Sequence, residues 1–355
     1  MTLAGDRANN GDFSRKFSGM RVFVIGSYDY LDSFEWHIVD SLRHLGCVAT
    51  LFHDGETVAG AFGLLSKASR KITRVLLREP ELRVESRLLR AIDEFSPTVV
   101  LMLLGNQLSP KTIAKIRKRS RASIVCWCQD QMTTLGRQYL LGGGYDAVFV
   151  KDRYMQDLFS RMIRSTTFHY LPEACNPRLH RPIVLSDRDR EVFGCDVMIA
   201  GTLYYYRQEI LQQLADRKLK VWGDRPDWLI DRLPGRFMGR FVHGEDKVRA
   251  ALGAKICLNT LHYAEVDGLN CRAFEISACG GFQMVSEVPV LKEHFLPDVE
   301  VATYRNVEEL KEKVSHYVNH PEAAAAIADR GRQRAHRDHT YEHRLTEILN
   351  IALRS

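Results

Sequence analysis

The stretch Asp267-Gly-Leu-Asn-Cys-Arg272-Ala-Phe-Glu275-Ile-Ser-Ala-Cys-Gly-Gly281-Phe holds the residue types best suited to chemistry. Its first part, with Gly268 and Asn270, reads as a loop that leads into a helix. Arg272 falls near the start of that helix and Glu275 three residues further on. Backbone N–H groups at a helix start favour anions, and an arginine there adds paired donors that fit a diphosphate. A carboxylate one turn in can accept hydrogen bonds from both hydroxyls of a ribose. The Gly280-Gly281 pair ends the helix and turns the chain into the next strand. The plain alternative is an ordinary helix with a glycine stop and an i, i+3 ion pair.

Such a loop-to-helix corner needs strands on either side of it. The run 21–26 reads as a buried strand ending in Gly26, followed by a helix with Phe34, Ile38, Leu42 and Leu45 at helical spacing and Gly46 as its stop. A strand at 48–52 completes a β-α-β opening, which predicts parallel pairing. The segment 61–95 reads as basic and helical, divided by Pro80, and 111–121 as a second basic helix. Strands are expected at 99–104, 124–127 and 147–150. A proline-rich, charged stretch around 171–190 interrupts the pattern. A second α/β series follows, with strands at 196–201, 219–222, 256–258 and 282–285 and helices through 307–350. The expected fold class is α/β, with two Rossmann-like domains facing across a cleft. The division reads as a disordered tail (1–19), an N-terminal domain (20–176), a linker (177–192), a C-terminal domain (193–338), and a last helix (339–355) packing back on the N-terminal domain.

The 355 residues, 45% hydrophobic and 26% charged, have the composition of a soluble globular protein. No apolar run is long enough for a membrane span, and 1–19 lacks the apolar core of a signal peptide, so the cytoplasm is the expected compartment. Eight cysteines without a C-x-x-C pair read as small buried hydrophobes and give no metal site. Between Gly60 and Arg121 there are 14 Lys and Arg against five Asp and Glu. That local excess suggests an anionic neighbour, for example the inner face of a membrane touched peripherally. Nucleic acid is disfavoured because no aromatic residues for stacking bases are interleaved with the charges.

The run from Gly268 to Phe282 resembles the donor-site signature of CgeB-like glycosyltransferases, relatives of the large retaining glycosyltransferase-B group. Val197-Met-Ile-Ala-Gly-Thr-Leu-Tyr-Tyr-Tyr-Arg207 resembles that family's strand–Gly–loop–Arg opening of the C-terminal domain. His339-Thr-Tyr-Glu-His-Arg344 is similar to its closing helix. Looser similarity appears at Trp127-Cys-Gln-Asp130, Tyr145-Asp-Ala-Val-Phe149 and Leu171-Pro-Glu-Ala174, so the resemblance runs from about Arg21 to the end.

The resemblance implies transfer of a sugar from a nucleoside-diphosphate sugar to an acceptor hydroxyl, with retention and without a metal ion or cofactor. The acceptor would be a glycan, a lipid-linked molecule or a protein. In the wider group two acidic residues are separated by seven others. Glu275 matches the ribose-binding one, and Asp267 falls at the donor-sugar position, where glutamate is usual. Gly201, Arg207 and Lys255 would serve the diphosphate, and His243 falls where such enzymes hold the base. The Gly26-Ser27 loop and Asp130 would face the cleft. Asp130, after a strand end, would act as general base or acceptor ligand, or simply cap the strand. Two other readings share this fold: a sugar-nucleotide epimerase, and a non-catalytic sugar-nucleotide-binding protein.

Overall fold

A computed structural model describes residues 16–27, 30–53, 79–103, 108–131 and 139–354. The N-terminal half runs β1 (Arg21–Gly26), α1 (Phe34–His44), β2 (Val48–His53), α2 (Glu79–Phe95), β3 (Val99–Leu103), α3 (Pro110–Arg119), β4 (Ser123–Cys128), α4 (Tyr139–Gly142), β5 (Ala147–Val150), α5 (Arg153–Met162) and β6 (Thr167–Tyr170). The C-terminal half runs α6 (Asp187–Phe193), β7 (Cys195–Ala200), α7 (Tyr205–Gln212), β8 (Leu219–Trp222), α8 (Glu245–Gly253), β9 (Ala254–Asn259), α9 (Cys271–Cys279), β10 (Gln283–Ser286), α10 (Leu291–His294), β11 (Ala302–Tyr304), α11 (Val307–Asn319), α12 (Pro321–Asp338) and α13 (Tyr341–Ala352).

Two parallel sheets result, ordered β2-β1-β3-β4-β5-β6 and β11-β10-β9-β7-β8. Strand β3 is buried along its whole length, as a central strand covered on both faces requires. One face of the first sheet packs Val24, Leu101 and Trp127 against Ile38 and Leu42 of α1 and Leu345, Ile348 and Leu349 of α13. The other packs Ile25, Val100 and Met102 against Leu88 and Ile92 of α2 and Ile113 and Ile116 of α3. The last helix of the chain is thus part of the first sheet's core. In the second sheet, Ile199, Ile256 and Met284 meet Leu310 of α11 and Ile327 of α12.

Strand order reverses direction between β1 and β3 in the first sheet and between β7 and β9 in the second. At such switch points the loops leaving the strands part in opposite directions and open a crevice at the carboxyl edge. Gly26 ends β1, while Gly201 and Thr260 follow β7 and β9.

Some expectations change. Residues 16–19, read as disordered tail, form a turn in which Phe17 is buried and its N–H bonds to Leu45 O at 3.0 Å. Residues 1–15 lie outside the described residues, as does the basic stretch 54–78. Pro80 is the second residue of α2, where a missing N–H costs nothing, and the helix expected before it lies outside the described residues. Strands β6 and β11, four and three residues long, have no counterpart among the expected strands. All eight cysteines are free thiols, seven of them buried. Among the described residues no helix is long and apolar enough to cross a membrane.

Candidate functional site

The β7–β9 crevice contains two arginines and no carboxylate paired with either. Gly201 takes φ +123°, and a Cβ there would lie 3.1 Å from Arg272 Nη1 and 3.2 Å from Arg207 Nη1. Both guanidinium groups therefore converge on one glycine. Arg207, 3% exposed, donates from Nε to Thr260 Oγ1 at 2.9 Å and from Nη1 to Thr202 O. Arg272, in the first turn of α9, places Nε 3.5 Å from Asn259 Oδ1. Among the described residues neither forms an ion pair. Burial, and then the neighbouring Arg272, lower the Arg207 pKa to about 10. Two like charges held this close in a dry corner are costly without an anion between them. The Tyr204 ring lies 4.7 Å from the Arg207 guanidinium, and its hydroxyl is buried without a hydrogen-bond partner among the described residues.

Helix α9 begins here because Asn270 caps it, accepting from Ala273 N at 3.2 Å. The Asn270 amide also exchanges hydrogen bonds with buried Asn259, at 3.0 and 2.9 Å. Asn270 is thus occupied in shaping the corner. The helix ends at Gly280, left-handed at φ 85°, as the Gly-Gly pair predicted.

A second group of charges joins the two halves. Lys151, just past β5, pairs with Glu265 at 2.6 Å, and both are buried. Asp152 accepts from Val266 N and Asp267 N at 3.0 and 3.2 Å. Glu173 accepts from Cys271 N, the first residue of α9, at 3.1 Å. Burial raises the Glu173 pKa to about 7 against the opposing pull of Lys151, and the nearby Glu275, Asp130 and Glu265 add to the rise. A buried carboxyl that changes charge near neutral pH where the two halves meet is a candidate proton carrier. Asp130 lies exposed beyond the end of β4 and within electrostatic range of Glu173 and Lys151.

Glu275, one turn after Arg272, points to a third group. Its Oε2 lies 3.1 Å from Lys247 Nζ, and its Oε1 is 3.8 Å from His180 Nε2, beyond hydrogen-bond length. Lys247 also reaches Asp32 at 2.9 Å, and Asp32 Oδ1 lies 3.0 Å from His37 Nε2. Burial would raise the Glu275 pKa, but Lys247 and His180 outweigh it and hold the carboxyl ionised. Asp32, His37, His180 and Glu275 offer ligand atoms within 4.8 Å of one another, a spacing that would suit a metal ion. The Lys247 ammonium already bridges the two carboxylates.

Other residues singled out in the sequence make contacts of their own. Asp267 Oδ1 accepts from Val290 N at 2.7 Å, so half its carboxylate ties down the loop after β10. A Cβ at Gly268 would meet Lys151 O at 2.8 Å; the glycine lets the two halves touch through an Asp152–Gly268 bridge. Lys255 is the second residue of β9, at the opposite edge of the sheet, and pairs with Asp196 at 2.8 Å. It lines a separate surface hollow with Leu252, Phe282 and Tyr317, away from Arg207 and Arg272. Gly26 packs against Glu35, whose carboxylate accepts from Ser27 N at 2.9 Å. His243 is exposed, with its ring 5.4 Å from Tyr30 across the two halves. Lys151, Glu173, Lys247 and Tyr204 carry no role in the sequence reading. Glu173 lies inside one of the similar runs, Leu171–Ala174, but nothing in that run gives it a function.

Residues 207–350 match the family described as glycosyl transferase-like. The spore protein CgeB of Bacillus subtilis (strain 168) is 22% identical over 264 residues, 68% of this chain and 80% of that protein. Sucrose-phosphate synthase from Thermosynechococcus elongatus superposes with a TM-score of 0.67 at 11% identity, over 94% of this chain and 98% of that one. Anabaena Alr3699/HepE in complex with UDP-glucose gives 0.62 at 14% identity, over 93% and 99%. At these identities the structural matches establish the fold. The chain thus has the glycosyltransferase-B fold, is similar to CgeB over 68% of its length, and matches the glycosyl transferase-like family over residues 207–350.

Proposed function

We propose that this protein transfers a sugar from a nucleoside-diphosphate sugar to an acceptor hydroxyl, with the donor diphosphate held between Arg207 and Arg272 at Gly201. The convergence of two arginines on one glycine, with no carboxylate partner among the described residues, carries the reading. It is supported by the place of this corner at the β7–β9 switch point and by the UDP-glucose complex of HepE. In the transfer the acceptor oxygen bonds to the anomeric carbon, and the bond from that carbon to the diphosphate breaks. Its electron pair leaves on the nucleoside diphosphate, where the two guanidinium groups stabilise the developing charge. Asp130 takes the acceptor proton, with Glu173 and Lys151 setting its field. Glu275, on the same face of α9 as Arg272, takes the ribose hydroxyls, exchanging Lys247 as its partner.

Retention of configuration and independence from metal belong to the same proposal. The positive charge needed at the diphosphate is supplied by Arg207 and Arg272. Product analysis by NMR with and without acceptor tests the reading. Transfer that requires acceptor, preserves the anomeric configuration and survives a chelator supports it. An altered sugar nucleotide formed without acceptor would identify an epimerase instead.

Peripheral contact with an anionic membrane would fall to the α2–α3 face. There Glu85 pairs with Lys115, Asp93 with Arg119, and Asp146 with Arg117. Those pairs neutralise part of the basic excess, so a contact would rest on the remaining cations.

A further inference from the structure

Two pairs of exposed aromatic rings, Trp228 with Tyr205 and Tyr206 with Tyr263, lie on the C-terminal half, and the second adjoins the arginine corner through Tyr204. Trp228 is 63% exposed and Tyr263 71% exposed, and Tyr205 and Tyr206 lie open between them. Trp228 and Tyr205 have ring centroids 5.8 Å apart, Tyr206 and Tyr263 6.1 Å, and Tyr263 and Tyr204 6.5 Å. Tyr204 is the ring beneath Arg207. Four rings of this size are seldom left in water together, because each exposes apolar area that burial would stabilise. None is needed for the core, which is complete behind them in Leu203, Ile210 and Leu211.

Their polar surroundings narrow the occupant. Arg232 lies over the Tyr205 ring and pairs with Glu209 at 2.5 Å, while Arg225 is 3.9 Å from Asp231. Asp224 and Asp227 add two further carboxylates in the same loop. Around Trp228 and Tyr205 the charges are thus of both signs, Glu209, Asp224, Asp227 and Asp231 with Arg225 and Arg232, rather than the cluster of cations an anionic lipid surface calls for. A neutral sugar chain fits better. The C–H face of a pyranose matches an aromatic face, and its hydroxyls suit a rim of charged hydrogen-bonding groups.

We infer that the surface formed by the Trp228–Tyr205 and Tyr206–Tyr263 pairs is a binding surface for a neutral glycan chain. Its role in leading an acceptor chain towards the transfer point rests on the proposed transferase function; its capacity to bind glycan does not.

Affinity electrophoresis tests it, using native gels that contain glycogen, hydroxyethyl cellulose or galactomannan. The expected result is retarded migration of the full chain in at least one gel. Trp228→Ala and Tyr263→Ala should each weaken that retardation at least fivefold. Both residues are exposed, so the melting temperatures of the variants should match the parent, and this control separates lost binding from lost fold. Arg272→Ala should migrate like the parent in the same gels while losing transfer. No retardation in any of the three gels, or retardation indifferent to both aromatic substitutions, overturns the inference. So does a parent that sediments with phosphatidylglycerol vesicles through Trp228, which would mark a lipid-facing patch. Transfer without retardation would leave the enzymatic reading standing and remove the glycan surface alone.

Discussion

Arg207 and Arg272 share one corner with Gly201, so each substitution there has a distinct expected effect. Arg272→Ala removes charge-assisted hydrogen bonds to the diphosphate worth about 1.5–3 kcal/mol each, which predicts roughly a 10- to 150-fold loss in kcat/KM at limiting donor. Steady-state kinetics with the true donor check this, and Arg332→Ala on distant α12 should change little. Glu173 tests the proton chemistry. Its folded pKa of about 7 predicts a pH–rate limb near neutrality that Glu173→Gln removes. A limb that persists in Glu173→Gln would assign it elsewhere. At this scale the sequence was legible where a motif carried its own geometry: Arg272 at a helix start, and Arg207 after a strand and glycine. It was silent on Lys151, Glu173 and Lys247. Their partners Glu265, Cys271 and Asp32 lie far off in the chain, and no periodicity encodes such pairings. Lys255 shows a different failure. The strand was recognised, but Lys255 stands at its entering end, whereas the crevice lies where the strand leaves the sheet.

Helix α13 closes the N-terminal core from the far end of the chain. Leu345, Ile348 and Leu349 are fully buried beside Val24, Leu42 and Trp127. Its start is tied by Tyr341 N to Cys175 O at 3.0 Å, and buried Arg344 donates to Pro172 O at 3.1 Å. Leu349→Ala should therefore cost about 2–5 kcal/mol, read as a lowered denaturation midpoint with an unchanged slope. A cost below about 1 kcal/mol would show that the helix is peripheral. The apolar spacing of Leu345, Ile348, Leu349 and Ala352 made this face legible. The main parallel strands were equally legible as short apolar runs between turn signals. Strands β6 and β11 were not, because four and three residues at a sheet edge leave too little pattern to read.

The two halves meet through buried charges, and this gives the whole molecule a pH dependence. His37, His294 and His339 are buried as neutral rings, with pKa values lowered chiefly by burial to about 4, 3 and 2. Because the folded values lie below the unfolded one, their contribution is present above about pH 6.5 and is lost as pH falls through the folded values. Glu173 acts in the opposite sense: its contribution is full below about pH 4.5 and is lost as pH rises through about 7. Melting temperature should therefore fall on acidification below about pH 6, and His37→Asn should flatten that fall. An unchanged profile in the variant would place the acid sensitivity elsewhere. The central claim remains the anion corner at Gly201, and thermal stability of the parent and Arg272→Ala with UDP, GDP, ADP and dTDP and their sugars tests it most directly. One nucleotide family should stabilise the parent, by about 2.7 kcal/mol at 100 times its dissociation constant, and should leave Arg272→Ala nearly unmoved. A parent indifferent to every nucleotide, or a variant stabilised as much as the parent, would contradict the account.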